Sequence, residues 1–126
     1  MVLADTSVWI RFLRNQPPFA VELERLLDRD EVAGHDLIHG ELLMGDSGGR
    51  GKLLQAHNLI TRLTTIPHAE VVEFVRAFRL QGRGIGWIDA HLLASALVSR
   101  TPLWTADRRL SALAGELRIE YAFRAK

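Results

Sequence analysis

Apolar positions along the chain fall into brief runs and helical stripes that alternate. Val2-Leu3-Ala4 is a short apolar run ending at an acid, Asp5, and Thr6-Ser7 then offer N-caps for a helix over Val8 to Leu13. Pro17-Pro18 stops that helix, and Val21, Leu23, Leu26 and Leu27 carry the spacing of a second one, Phe19 to Leu27. Val32-Ala33 reads as a brief strand, His35-Asp36 opens a third helix through Leu43, and Gly45 to Gly51 is a glycine-rich loop. Helical periodicity returns over Lys52 to Leu63 and Ala69 to Leu80, with room for a short strand in Thr64-Thr65-Ile66 before Pro67. Gly82, Gly84 and Gly86 mark a connection. Trp87 to Ser99 is then apolar nearly all round, so it is expected to be largely buried. Leu103-Trp104-Thr105 is a strand, Asp107 caps a short helix to about Leu113, and Arg118 to Phe123 predicts a last strand.

Short apolar strands alternating with helices imply a parallel sheet, because parallel strands need helical crossovers that cover both faces. The expected fold is a three-layer α/β/α sandwich around a short, mostly parallel central sheet, with residues 1–126 as one domain. In such sheets ligands bind beyond the carboxyl ends of the strands, where the strand order reverses. Acids placed at strand ends therefore carry information.

Composition changes this picture little. With 48% hydrophobic and 25% charged residues the chain is globular, and zero cysteines exclude disulfides and thiolate zinc sites. The opening Met-Val-Leu-Ala-Asp lacks the basic leader and apolar stretch of a signal peptide, and Leu92 to Val98 is too short to span a bilayer. A soluble cytoplasmic protein is expected. Net charge is only +1, yet residues 74–126 carry nine Arg/Lys against four Asp/Glu, while residues 1–73 carry seven against eleven. The later half is the more suited to a polyanion.

Four acids stand in places that need a reason. Asp5 and Asp107 follow strands directly, where each can serve simply as a helix cap. Glu41 falls beside Ile38 and Leu42 on the apolar arc of a short helix, where a carboxylate is costly unless paired or metal-bound. Asp89 opens the most apolar helix, where the macrodipole favours an acid but little solvent-facing surface remains. Taken together, carboxylates without cysteine suit a hard ion, Mg²⁺ or Mn²⁺. Such an ion activates water and stabilises the charge of a phosphate under in-line attack, which is the chemistry of phosphodiester hydrolysis.

At these residues the chain resembles the PIN-domain ribonucleases, and in particular the VapC toxins of bacterial VapBC toxin–antitoxin pairs. Ala4-Asp5-Thr6-Ser7-Val8-Trp9-Ile10 is similar to the family's first motif and Ile38-His39-Gly40-Glu41-Leu42-Leu43-Met44-Gly45 to the second. Ile88-Asp89-Ala90-His91-Leu92-Leu93-Ala94-Ser95-Ala96 resembles the third, and Leu103-Trp104-Thr105-Ala106-Asp107 the fourth. The resemblance covers the whole chain and lies in the order and spacing of the motifs. It departs at Arg109, where the family often has a further acid, and at Leu110, where phenylalanine is usual. It implies Asp5 and Asp89 as metal ligands, Asp107 and Glu41 completing the site, and Thr6 and Thr105 orienting the acids. It further implies a homodimer, a small VapB-type antitoxin as partner, and cleavage of structured RNA such as tRNA or rRNA.

Arg108 and Arg109 sit beside the acids and are candidate phosphate contacts. Arg76, Arg79 and Arg83 fall on or near one helical face and are weaker candidates, since a solvated face explains them equally well. His35 and His39 at i, i+4 raise the question of zinc, but no third ligand follows at a conventional spacing. His91, Trp87 and Trp104 read as packing, and Phe12, Phe74 and Phe78 as core or a dimer contact. Two other functions use the same features. A Mg²⁺ phosphatase of the haloacid-dehalogenase type also opens with an Asp after the first strand, but needs an acid where Ser7 stands. A PIN-like scaffold that binds RNA or protein without cutting would have no reason to keep four repelling acids.

Overall fold

Val2–Ala4 (β1), Val32–Ala33 (β2) and Leu103–Trp104 (β3) are buried along their whole length and pair into a parallel sheet ordered β2-β1-β3. The computed structural model describes residues 1–123. β1 is central: Val2 and Leu3 register with Val32 and Ala33 on one side, and Leu3 and Ala4 with Leu103 and Trp104 on the other. Two helices, α1 (Thr6–Leu13) and α2 (Phe19–Asp28), lead from β1 to β2. Four more, α3 (Asp36–Met44), α4 (Gly51–Leu59), α5 (His68–Ala77) and α6 (Trp87–Ser99), carry the chain back past β1 to β3, and α7 (Arg108–Glu116) follows. The layers form the three-layer α/β/α sandwich that the alternation predicts, and the strand order reverses between β1 and β3.

The core is continuous from the sheet into the helices. Leu3, Leu103, Trp9, Ile38, Leu42, Leu93 and Leu110 are fully buried, each contributing on the order of 1.5–3 kcal/mol by leaving water. α6 is buried at every position from Ala90 to Ala96, His91 and Ser95 included, as its all-round apolar pattern predicts. Among the described residues no helix is long and apolar enough to cross a membrane.

Several boundaries differ from the sequence reading for identifiable reasons. Asp5, not Thr6 or Ser7, is the N-cap of α1; its side chain accepts from the Val8 N–H, which frees both hydroxyls for other partners. α4 ends at Leu59 because the next residues pair along Gly34, the Gly34 N–H donating to Thr61 O and the Leu63 N–H to Gly34 O. No strand forms over Thr64 to Ile66. α5 ends at Ala77, since Arg79 takes a left-handed conformation (φ 55°) and the Leu80 N–H closes back on Val75 O. The strand expected over Arg118 to Phe123 is reduced to one parallel bridge, Glu120 beside Leu103.

Three histidines fill the space under β2 and α3. His35 caps α3 by accepting from the Leu37 N–H at Nδ1, and its Nε2 lies 3.0 Å from Ser95 Oγ. Both ring nitrogens are thus engaged, which removes the zinc reading of His35 and His39. His57 is fully buried against the edge of Trp9 and lies close under Gly34, where an added Cβ would approach its Nε2 to 3.0 Å. Burial first, then the charges of Arg62 and His39, lower its pKa from 6.5 to about 4; Asp36 opposes this and His35 adds to it. Between those two pH values the unfolded chain binds a proton that folded His57 rejects. Stability should therefore fall as pH drops from about 6.5 to about 4, by roughly 2 kcal/mol from this residue. Urea midpoints across that range should decline less steeply in His57→Gln; an unchanged slope would mean His57 is not the group responsible.

Candidate metal centre

The site starts from the end of β1. Pairing with β3 continues one step past Ala4, where the Asp5 N–H donates to Trp104 O at 3.0 Å, so Asp5 stands beside Thr105 at the carboxyl edge. Asp5 is only 5% exposed. One of its oxygens, Oδ1, accepts from Ser7 Oγ at 2.5 Å and from the Val8 N–H at 3.2 Å. Burial nevertheless dominates and raises its pKa from 3.8 to about 6; the Ser7 and Thr105 hydroxyls and the Val8 N–H pull it back, and the charge of Asp89 pushes it up.

Ser7 joins the two strand ends. Its hydroxyl donates to Asp5, accepts from the Ala106 N–H at 2.9 Å and lies 3.3 Å from Thr105 Oγ1. Thr105 Oγ1 in turn accepts from the Asp107 N–H at 3.0 Å. Asp107 is exposed and caps α7 through Oδ1, which accepts from the Leu110 N–H at 2.9 Å.

The other two acids arrive on helices. Asp89, half-buried in the first turn of α6, accepts from the Gly86 N–H at Oδ2, 3.3 Å away. Its pKa is raised by burial first, the Gly86 N–H opposing, and then by the charges of Glu41 and Asp107. Glu41, on α3, receives the Thr6 hydroxyl at Oε1, 2.6 Å away. Asp89 therefore lies within electrostatic reach of all three other acids.

Among the described residues each of the four acids uses one oxygen within the protein, and none is ion-paired to a base. No three acidic, histidine or cysteine side chains among them close into a compact ligand cluster. Glu41 and Asp107 are each held by their own hydrogen bonds. The donor set is oxygen only, anionic and without a counter-charge, and so fits a hard divalent cation in chemistry.

The arginines divide differently from their order in sequence. Arg108 follows Asp107 directly, and Arg109 lies across Gly84, whose added Cβ would come within 2.7 Å of Arg109 Cδ. Arg76, Arg79 and Arg83 do not share a helical face, because α5 stops before Arg79 and Arg83 pairs with Glu116 at 2.6 Å, at the far end of α7 from Asp107. Two residues escaped the sequence reading. Ser7 is the joint of the site; the only sequence signal for it is its place two residues after Asp5. Arg11 donates to Ser7 O at 3.1 Å and covers the Phe19 ring at 5.4 Å, a placement its i, i+4 spacing from Ser7 foreshadows.

A parallel sheet of this order with an acid at the end of its central strand defines a class of protein, and the PIN domain family model matches residues 2–116: the chain belongs to that family. It falls among the VapC proteins within it. It is 41% identical to Ribonuclease VapC32 of Mycobacterium tuberculosis over 97% of either chain. It is 31% identical to Ribonuclease VapC19 of the same organism, over 86% of this chain and 90% of that one. The crystal structure of PAE2754 from Pyrobaculum aerophilum shares the fold with a TM-score of 0.62 at 19% identity, covering 93% of this chain and 94% of that one.

A buried carboxylate without a counter-ion strains the fold. Asp5→Asn keeps the cap and removes the charge, so at neutral pH without metal it should stabilise the protein by on the order of 1–3 kcal/mol. Mn²⁺ should raise the Tm of the parent and not of the variant. A variant less stable than the parent in EDTA would show that the ionised form is needed for structure instead.

Proposed function

We propose that the protein is the toxin of a toxin–antitoxin pair, a metal-dependent endoribonuclease that hydrolyses RNA phosphodiester bonds. The observation that carries this reading is Asp5, a buried acid at the switch point, raised in pKa, within electrostatic reach of Asp89 and without a basic partner among the described residues. Both VapC relatives are named ribonucleases, which supports RNA as the substrate class.

In this reading Asp5 and Asp89 hold Mg²⁺ or Mn²⁺, with Glu41 and Asp107 completing the site directly or through water. The ion, when bound, supplies an activated water and neutralises the phosphate under attack. Ser7 and Thr105 keep Asp5 aimed, and Thr6 does the same for Glu41. Arg108 and Arg109 position the phosphate backbone without reading sequence. Structured RNA, tRNA or rRNA, is the substrate; a VapB-type antitoxin silences the toxin in the cytoplasm, and two copies form the working dimer.

Purified protein with Mg²⁺ or Mn²⁺ should cut total bacterial RNA into discrete products. EDTA should abolish the cutting, and Asp5→Asn should lower it by at least about a hundredfold. Cleavage that persists in EDTA would refute the metal centre. Replacing Arg108 and Arg109 with Ala should weaken RNA binding and flatten its dependence on salt, because fewer counterions are released. Filter binding from low to high salt reads this directly, and parallel curves for parent and variant would remove the two arginines from the account.

A further inference from the structure

Beside Asp107 runs a cleft of which the proposed metal chemistry uses only one rim. One lobe, of about 430 Å³, is lined by Asp107 and Arg108; a second, of about 310 Å³, is lined by Trp104, Tyr121 and Phe123. Phe19, Thr105, Ser111 and Glu120 line both, so the two lobes are continuous. The aromatic chamber thus adjoins the lobe that Asp107 lines.

The rings of that chamber pack against one another. Phe19 stacks on Trp104 at 5.8 Å, and the Tyr121 and Phe123 rings lie 6° from parallel with their edges toward Trp104. The Tyr121 hydroxyl is tied to buried Glu22, which Arg25 holds by two hydrogen bonds. Trp104 and Arg11 cover the Phe19 ring, so the partly exposed Tyr121 and Phe123 rings are the ones left for a flat ligand. Fixed aromatic faces next to a backbone-binding site are what an unstacked nucleobase requires.

The polar group in the chamber narrows the choice of base. Glu120 is exposed, accepts from Ser111 Oγ at 2.7 Å, and has no basic partner among the described residues. A carboxylate only accepts hydrogen bonds, and its charge repels phosphate, so a base and not the backbone belongs there. Of the four bases, guanine alone presents two adjacent N–H donors on its Watson–Crick edge. Adenine and cytosine place a ring acceptor beside the amino group, and uracil flanks its N–H with carbonyls.

We infer that this cleft takes one unstacked guanine of the RNA, adjacent to the bond being cut, with Glu120 reading its edge and the aromatic rings stacking it. The inference rests on the ribonuclease reading, but its test does not need cleavage. The full-length protein in EDTA is titrated with the pentaribonucleotides UUGUU, UUAUU, UUCUU and UUUUU, followed by tryptophan fluorescence, Trp104 being in the chamber wall. UUGUU should bind about tenfold more tightly than the others. Glu120→Gln should erase that preference, so that UUGUU binds no more tightly than the other three, and Ser111→Ala, which leaves the carboxylate untethered, should weaken it. Equal binding of all four, or a guanine preference untouched by both variants, overturns the inference. Guanine-selective binding by a protein that cuts no RNA in Mn²⁺ would instead refute the ribonuclease reading and leave the chamber standing.

Discussion

The whole arrangement depends on a carboxylate that has to be buried. Asp5 ends the central strand, begins the first helix and feels the charge of Asp89, all from one position. Its N–H extends the β1–β3 ladder by one step, and its Oδ1 closes the first turn of α1. Because β1 is flanked on both sides, Asp5 cannot withdraw to solvent without undoing the sheet. Sheet register and site geometry are therefore a single structure. Slipping β3 by one residue would move Thr105 away from Ser7, and Asp107 with it.

Helix ends soften the cost. Asp5 and Asp107 are N-caps, and Asp89 lies in the first turn of α6, so three of the four acids stand at positive helix termini. Each placement is worth about 0.3–1 kcal/mol. The helix-cap reading and the metal reading of these residues are thus compatible. Each acid spends one oxygen on its helix or on a neighbouring hydroxyl and keeps the other. Glu41 is the exception, in mid-helix, and depends on the Thr6 hydroxyl alone. Capping accounts for the positions of three acids; it does not account for why all four lack a base.

Much of this was legible in the residues. Strand runs two or three residues long were readable because each is wholly apolar and each ends against glycine, threonine or an acid. α6 declared its burial by having no polar stripe. What the sequence hid was set by contacts between distant segments. Residues 61–63 have helical periodicity, yet the open backbone of Gly34 offers them two hydrogen bonds and the helix yields. The end of α5 was hidden because an arginine, where glycine is usual, takes the left-handed position. Ser7 was hidden because its role is fixed by Ala106, a residue 99 positions away.

The excess of basic residues in the later half, which first pointed to a polyanion, proves a poor guide to where one would bind. Arg100 and Arg118 take left-handed conformations just past α6 and α7, at the ends opposite Asp89 and Asp107. With a rise of about 1.5 Å per residue those ends lie well over 10 Å from the acids, and there the arginines face negative helix termini. Arg83 is paired with Glu116 at the same far end of α7. Near the acids stand Arg108, Arg109 and, from the acidic half of the chain, Arg11. With so few cations close by among the described residues, an RNA bound as proposed would be held less by its phosphates than in a strongly basic groove, and more of its affinity would have to come from the bases. The aromatic chamber that opens beside Asp107 is where we infer that a base is held, on Tyr121 and Phe123, because Arg11 and Trp104 already cover Phe19.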